Sequence, residues 1–305
     1  MLYSRVTFAH GPTPAASPII LNEHFNTDGT TDTQKVDDTI VIDRRQSDPM
    51  FRDSRDPYHL TQGGALGRVH KGMASWRLDG RILVPDATQQ QRLSDRERDL
   101  RAAFDPFICT NDSPTTEGAF ALKWDELTSD TTNFATGRRP VQLFCRPTLQ
   151  PQVDALASES AMRRWALGLV AGDPRIYGQT EQTLVLTAGS PTNSASNIGL
   201  TAAPLKVTIV MSGNGNSAFR IARGGVTFEM NLTGMVNNDT IVVIMETSGP
   251  YGRGKLITKN GVENFALKTS APNTWLNVPV GSTSFTITNT TGISTVTLAW
   301  YHAWA

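Results

Sequence analysis

The sequence predicts a mainly β protein of two domains, the second of them an antiparallel β-sandwich. The chain has 305 residues, which suits two domains better than one. Residues 1–178 carry 44 charged side chains, whereas residues 179–305 carry only 12. The second part is rich in threonine and in short apolar alternations separated by Asn and Gly, which is typical of β structure. We therefore place the domain boundary near Gly178.

The second domain, 179–305, contains about ten predicted strands, and this number in so short a segment favours a sandwich or jelly roll. Asn260-Gly261 lies between two of them and is the strongest short-range hairpin signal. The predicted strands are Gln182–Thr187, Leu205–Met211, Ala218–Ala222, Thr227–Leu232, Asp239–Glu246, Lys255–Lys259, Glu263–Leu267, Trp275–Val278, Ser284–Thr288 and Thr295–Trp300.

The first domain, 1–178, has a weaker pattern. Its charged segment 43–72 contains few apolar residues and is predicted to be a long loop. The connections 125–140 and 147–160 are long and polar for hairpin loops. Met162–Val170 fits a strand and a helix equally well by periodicity. The other predicted strands are Thr39–Asp43, Trp76–Val84, Ala119–Trp124 and Val141–Cys145.

One helix is predicted after Ser94. Ser94 and Glu97 form an S-x-x-E capping box, in which each side chain accepts a hydrogen bond from an otherwise unpaired backbone N–H. An apolar face follows at helical spacing, and Asp105-Pro106 ends the helix because a residue before proline avoids the helical conformation. The residues of this face are Leu100, Ala103, Phe104 and Phe107.

Charge and composition exclude several classes of protein. The 28 basic and 28 acidic side chains balance, which argues against a protein whose main role is to bind nucleic-acid phosphates. Only Cys109 and Cys145 are available for a disulfide framework or a zinc ribbon, so neither is expected. The N-terminus lacks a run of signal-peptide length, and no segment is apolar enough to insert into a membrane.

Metal sites are not expected either. The five histidines include no pair at i, i+4 spacing, and His302 lies among aromatic residues, where packing is its expected role. The segment 28–32 begins like a calcium loop, but Thr33 stands where the sharp turn requires glycine.

Two segments resemble nucleotide-binding motifs, and both are rejected. Residues 249–256 match G-x-x-x-x-G-K, but Leu256 stands where a Ser or Thr must bind magnesium. The alternation that follows predicts a strand, not the required helix. Residues 213–218 approach G-x-G-x-x-A, and they too lead into a predicted strand. Glycine turns explain both segments.

No catalytic constellation is visible. The G-x-S-x-G nucleophile elbow is absent, and the spacing of the carboxylates singles out no pair. We therefore predict no enzyme, with no catalytic, cofactor-binding or metal-binding residues and no cofactor.

Several short motifs, in order along some 230 residues, together resemble distal tail proteins of long, non-contractile-tailed bacteriophages. In the first half the strand Trp76–Val84 leads into the helix, and Asp173-Pro174 closes the domain. In the second half the motifs are Asn197-Ile198-Gly199 followed by Pro204, Thr274-Trp275-Leu276 with Pro279-Val280-Gly281, and the terminal aromatic strand Leu298–Trp304.

This resemblance implies a tail-tube-like first domain with a long β-hairpin arm over 141–171, so that Met162–Val170 is a strand, and a galectin-like second domain. It implies a virion protein, assembled in the host cytoplasm, that forms a hexameric ring at the tail tip. The ring would join the tail tube protein to the tail-tip hub protein and surround a channel for the tape measure protein and DNA in transit. Balanced charge suits such self-association.

Two other functions stay open. A galectin-like sandwich permits carbohydrate binding at the host surface, where exposed Trp275, Trp300 or Trp304 could stack on a sugar, although such aromatic residues more often belong to the core. A cell-wall hydrolase is the other alternative. The sequence does not identify the host or the ring-interface residues.

Overall fold

The structure is a computed structural model, and it describes residues 6–9, 19–21, 39–53, 69–84, 89–105, 121–154, 162–187, 193–246, 250–251, 255–269 and 274–304. The chain divides into two compact units, Met1–Pro174 and Arg175–Ala305, called the first and second units below. This division lies a few residues before the predicted boundary at Gly178.

The first unit is built mainly from antiparallel strands. They are β1 (Val6–Ala9), β2 (Ile19–Leu21), β3 (Thr39–Asp53), β4 (Val69–Leu83), β5 (Ala121–Leu127), β6 (Arg138–Phe144), β7 (Arg146–Pro147), β8 (Gln152–Asp154) and β9 (Met162–Ala171). One group of strands has the order β6-β5-β1-β2. A second sheet has the order β3-β4-β9-β7, and β8 also pairs with β9.

The charged segment 43–72 is not a loop where it is described, so that prediction is wrong for both of its ends. β3 and β4 are 15 residues each and pair in antiparallel register from Thr39↔Leu83 to Asp53↔Val69. Pairing with β4 holds β3 extended although its own sequence shows no apolar alternation. The middle of the segment, 54–68, lies outside the described residues.

The hairpin predicted over 141–171 is present in part. β7 and β8 pair with β9, which confirms that Met162–Ala171 is a strand. Residues 141–144 instead belong to β6 and pair with β5, from Ala121↔Phe144 to Leu127↔Arg138. The connection 125–140 is thus shorter than predicted, because both strands of this hairpin extend into it.

The single helix of the described residues, α1, spans Gln89–Ala103. It begins five residues before the predicted start at Ser94, so Ser94 lies inside the helix and its predicted capping box is wrong. Leu100, Ala103 and Phe104 are buried as predicted, and Leu93 extends the same face by two turns. The helix ends before Asp105-Pro106, in agreement with the expected break; Phe107 lies outside the described residues.

The core of the first unit lies on one face of the β4–β9 pair. Buried residues alternate along both strands, with Trp76, Leu78 and Ile82 on β4 and Trp165, Leu167 and Leu169 on β9. Trp76 also packs against Trp124 of β5, with ring centroids 6.0 Å apart. The opposite face of the pair carries the charged residues Arg77, Asp79, Arg81 and Arg164.

The second unit is an antiparallel sandwich, as predicted. Its main sheet has the order β18-β17-β16-β13-β22-β10, and a smaller sheet has the order β15-β14-β21. Two short pairs, β11–β20 and β12–β19, complete it. The strands are β10 (Ile176–Leu186), β11 (Ser194–Asn197), β12 (Ala203–Pro204), β13 (Lys206–Met211), β14 (Phe219–Arg223), β15 (Val226–Met230), β16 (Thr240–Ile244), β17 (Leu256–Lys259), β18 (Val262–Glu263), β19 (Asn277–Val278), β20 (Gly281–Ser284), β21 (Thr286–Thr288) and β22 (Ile293–Trp304).

Most of the predicted strands of this unit are present. The segment Glu263–Leu267 is an exception, because Phe265–Leu267 form a 3₁₀ turn after the short strand β18. Two polar strands, β11 and β20, were not predicted, since their Ser-rich and Gly-rich sequences carry no apolar alternation. The Asn260-Gly261 hairpin is confirmed, with φ of 50° and 81° at the two turn residues.

Alternate residues of both sheets fill the core of the second unit, as in other β-sandwiches. They include Val207, Ile209, Val296 and Leu298 from the main sheet and Phe219, Ile221, Phe228 and Ile287 from the smaller one. In the described part of the chain, no helix is long and apolar enough to cross a bilayer.

Candidate functional site

A polar cavity of about 520 Å³ lies on the solvent-facing side of β4, β8 and β9. Arg81 of β4 is directly opposite Arg164 of β9, which is in turn opposite Asp154 of β8. Two like charges in directly opposite positions repel each other, and the neighbouring carboxylates reduce this repulsion. The lining residues are Arg77, Asp79, Gly80, Arg81, Gln152, Asp154, Arg164, Trp165 and Ala166.

The side chains of this cavity are partly paired with one another. Arg77 Nε donates to Asp79 Oδ1 at 2.9 Å, across one residue of β4. The cavity therefore presents three guanidinium groups and two carboxylates. Planar guanidinium groups recognise carboxylates in two-point contacts, so this surface suits a polar protein contact better than an enclosed reaction.

The motif Asp173-Pro174-Arg175 lies where the two units divide. Within the second unit, Arg175 Nη1 donates to the carbonyl oxygen of Ala202 at 2.9 Å and lies 3.8 Å from Glu246 Oε2. Its guanidinium carbon is also 5.8 Å from the centre of the Tyr177 ring. Arg175 immediately precedes β10, so these contacts hold the start of that strand in place.

The three motifs of the second half meet at Asn197, whose side chain is fully buried. Its Nδ2 donates to the carbonyl oxygens of Thr201 and Val278, at 2.8 and 3.2 Å. Its Oδ1 accepts from the backbone N–H groups of Gly199 and Ala303, at 3.0 and 3.4 Å. One amide thus joins the Asn197-Ile198-Gly199 turn, the segment after Trp275 and the terminal aromatic strand.

Gly199 allows the backbone of the turn to approach the backbone of Ala303 closely. A Cβ placed at this position would lie 1.9 Å from the carbonyl oxygen of Ala303, so only glycine fits here without a backbone shift. That oxygen also accepts from the N–H groups of Leu200 and Thr201 at 2.8 and 3.1 Å. The motifs that carry the resemblance are therefore structural: they close the sandwich around its last strand.

The three tryptophans considered for sugar stacking differ in exposure. Trp300 and Trp304 are each only 4 % exposed, and Trp300 Nε1 donates to the carbonyl oxygen of Ser196 at 3.1 Å. Both belong to the core, so neither presents a face to a ligand. Trp275 is half-buried, and it is the exception among the six tryptophans of the chain, since the other five are buried.

A cluster of titratable side chains lies on the main sheet of the second unit. Lys206 Nζ is 2.8 Å from Glu181 Oε1 and 4.6 Å from the centre of the Tyr251 ring. Burial, reinforced by Glu181, raises the pKa of Tyr301 to about 12 and raises that of Tyr251 further above its usual range. Both phenols stay protonated at neutral pH, so neither tyrosine is placed to act as a general base.

The segments that resemble nucleotide motifs show no nucleotide-site geometry where they are described. Leu256 begins strand β17, and its side chain is buried, so no helix N-terminus follows Lys255. Residues 213–218 likewise lead into strand β14. Gly249, Gly252 and Gly254 lie outside the described residues.

The described residues contain no group of three or more His, Cys, Asp or Glu side chains placed to hold a metal ion. Burial lowers the pKa of His302, whose ring packs against Trp304 at 6.3 Å between centroids. Cys145 is buried. Cys109, the histidines at 10, 24 and 59 and the segment 28–32 lie outside the described residues.

No family model and no curated protein matches the sequence. Among solved structures, the chain is similar to the Dit protein (gp 19.1) of phage SPP1, described as a paradigm of the hub adsorption apparatus in phages that infect Gram-positive bacteria. The identity is 12 %, the TM-score is 0.52, and the match covers 98 % of this chain and 99 % of that protein. A chain of the phage P2 baseplate in its activated conformation with calcium matches at 8 % identity and a TM-score of 0.44, covering 98 % of each chain.

The likeness to SPP1 Dit extends over nearly the whole of both chains, so it includes both units. At this identity the likeness concerns the fold. The fold predicted from the short sequence motifs is thus confirmed: this chain has the mainly β, two-unit fold of a phage distal tail protein.

Proposed function

We propose that this protein is a structural component of a bacteriophage tail tip and that it turns over no substrate. The observation that carries the proposal is the fold likeness to SPP1 Dit over almost the full length of both chains. The contacts of Arg175 and Asn197 agree with this proposal, because they stabilise strands and turns of the second unit.

In this proposal six copies form a ring through the first unit. The ring joins the tail tube protein to the tail-tip hub protein and surrounds the path of the tape measure protein and of DNA. Closed cyclic symmetry requires two different, complementary patches on each copy. The cavity around Arg81 and Arg164 is the patch that we assign to a carboxylate-bearing neighbour, because its arginines outnumber its acids.

Native mass spectrometry of the full-length chain tests the ring. We expect a species of six times 33.2 kDa at micromolar concentration. A monomer at every concentration, also after addition of the cognate tail tube protein, would contradict the ring.

A charge reversal tests the assigned patch separately. Arg164→Glu should shift the hexamer to smaller species, because it places a carboxylate opposite Asp154 and removes the cation offered to the neighbour. Arg98→Glu is the matched control: it reverses the same charge on the exposed side of α1. If Arg164→Glu leaves the hexamer unaffected, the contact between subunits lies elsewhere, and the ring itself is not contradicted.

We also propose that the two units are separately folding domains and that the first forms the ring. A fragment of residues 175–305 should give a β-type circular dichroism spectrum and a cooperative melt. A fragment of 179–305, which follows the boundary predicted from sequence, should melt at a lower temperature. It lacks Arg175 and the fully buried Tyr177 of β10. Equal melting of both fragments would favour the later boundary.

A second candidate function is carbohydrate binding at the host surface by the second unit. Trp275 is the observation that favours it, since the other two tryptophans considered are buried. Glycan-array binding by the full-length chain would support this function, and a zymogram on host cell walls would test the hydrolase alternative.

A further inference from the structure

Trp275 lies between a buried aromatic residue and two lysines. Its ring centroid is 5.2 Å from that of Phe228, which is fully buried in β15. The N–H of the preceding residue, Thr274, donates to the carbonyl oxygen of Thr227 at 2.9 Å. Trp275 is thus held on the smaller sheet, with an indole that is partly open to solvent.

Two ammonium groups share this one indole. Lys255 Nζ is 5.4 Å and Lys268 Nζ is 5.8 Å from the ring centroid. Each contact is a cation–π interaction, and together they place two like charges beside one another. Neither lysine forms an ion pair with a carboxylate of the described residues, so their mutual repulsion is not offset there.

Two charged side chains of the neighbouring strands β14 and β15 already have partners. Glu229, which follows Phe228 on β15, accepts from Arg220 Nε at 2.5 Å, and this contact holds the pKa of the carboxyl below its usual range. Arg223 donates to Asn277 Oδ1 at 2.8 Å, two residues beyond Trp275. The patch formed by Trp275, Lys255 and Lys268 is therefore an aromatic surface with excess positive charge.

We propose that this patch binds an acidic saccharide. The apolar C–H face of a sugar ring would pack on the indole of Trp275. The two flexible lysines would move from the indole to a carboxylate or phosphate group of the sugar, forming charge-assisted hydrogen bonds. This inference rests on the second candidate function, glycan binding, and it is independent of the ring.

A single aromatic platform favours a saccharide over single-stranded nucleic acid, because sequence-independent binding of single strands stacks successive bases on several aromatic side chains. The described surface around Trp275 offers one such ring. An oligonucleotide is accordingly the competing ligand in the test.

Intrinsic fluorescence of the full-length chain gives a direct signal, since Trp275 is the one tryptophan of six that is not buried. The probe is a hexasaccharide of alternating glucuronate and N-acetylglucosamine, titrated beside a neutral N-acetylglucosamine hexamer and an eight-residue oligothymidylate. We expect a saturable change with the acidic sugar, weakened at least about tenfold in the double variant Lys255→Gln/Lys268→Gln. Raising the salt concentration should weaken it as well.

Three variants separate the outcomes. Trp275→Ala lacks the reporting indole, so its binding is measured by isothermal titration calorimetry and should be abolished. Lys123→Gln, which removes one charge from the first unit, should bind as the unmodified chain does. If neutral and acidic sugars bind equally and the double variant Lys255→Gln/Lys268→Gln has no effect, the role of the two lysines is contradicted, whereas glycan binding is not. Tighter binding of the oligonucleotide, or no saturable signal with the acidic sugar, would overturn the proposal; neither outcome bears on the hexamer.

Discussion

The two units of this chain use polar side chains in opposite ways. In the first unit they lie mostly on surfaces, as in the salt bridges Arg77–Asp79, Arg98–Asp95 and Arg101–Glu97. In the second unit charged residues are few, and buried amides such as Asn197 satisfy backbone groups inside the sandwich. Exposed ion pairs contribute little stability, whereas a buried hydrogen-bonding group is costly to lose. The first unit thus has surfaces suited to association, and the second is tied together internally.

The largest effect that separates the units is expected from Gly199→Ala. The added Cβ would lie 1.9 Å from the carbonyl oxygen of Ala303, so the last strand must move and the contacts around Asn197 break. We expect a loss of several kcal/mol in the second unit, with the first unit unchanged. Chemical denaturation followed by hydrogen exchange of each unit measures this.

Gly213→Ala is the control for that substitution, because a Cβ there meets no atom within 4 Å. Parallel destabilisation of both units by Gly199→Ala would show that they unfold together and would remove the contrast between them.

The converse change is Trp124→Ala in the first unit. Trp124 is fully buried and its ring contacts that of Trp76, so truncation leaves a large cavity. We expect a loss of about 3–5 kcal/mol in the first unit. Leu127→Ala, at the exposed end of the same strand, should change the stability by less than about 0.5 kcal/mol. A transition of the second unit that shifts with Trp124→Ala would argue against separate cores.

A smaller, pH-dependent effect is expected at Asp239, which joins the hairpins of the second unit. Its carboxylate is 2.9 Å from Lys259 Nζ and accepts from Val236 N–H and Asn260 Nδ2, at 2.9 and 2.7 Å. The contact with Lys259 has the largest effect and the two hydrogen bonds add to it, so that the pKa of Asp239 is lowered from 3.8 to about 2.

Because that pKa is lower in the folded state, the stabilisation is complete above about pH 4 and is lost as the pH falls through about 2. Asp239→Asn should therefore flatten the pH dependence of unfolding of the second unit between these values. Glu263→Gln is the control: it replaces an exposed carboxylate in the neighbouring hairpin by a carboxamide and should leave this pH dependence unchanged. An unchanged acid profile in Asp239→Asn would show that other groups control acid unfolding.

The smallest effect is expected from Lys255→Ala. Its side chain is exposed and its ammonium group lies over the Trp275 ring, so the free energy of unfolding should change by less than about 0.5 kcal/mol. Isothermal titration with ATP or GTP and magnesium should give no heat of binding for either protein, since strand β17 offers no helix N-terminus to a phosphate. Magnesium-dependent micromolar binding, abolished by the substitution, would contradict this reading of residues 249–256.

The sequence by itself determined most of the second unit and the alternation of residues 76–83 in β4. Short strands that bury alternate residues, such as Lys206–Met211, carry a period-two signal, and turns such as Asn260-Gly261 specify their backbone geometry locally. The helix face was visible for the same reason, because Leu100, Ala103 and Phe104 recur at helical spacing.

Only the tertiary structure decided the features that depend on partners distant in sequence. β3 is extended because β4 pairs with it, and α1 begins at Gln89 although Ser94 offers a cap. The meeting of Asn197, Gly199 and Ala303 joins residues about a hundred positions apart, and the Trp275 patch draws its lysines from two other segments. Local propensity acts over a few residues, whereas these contacts form when the chain packs, so no short-range pattern specifies them.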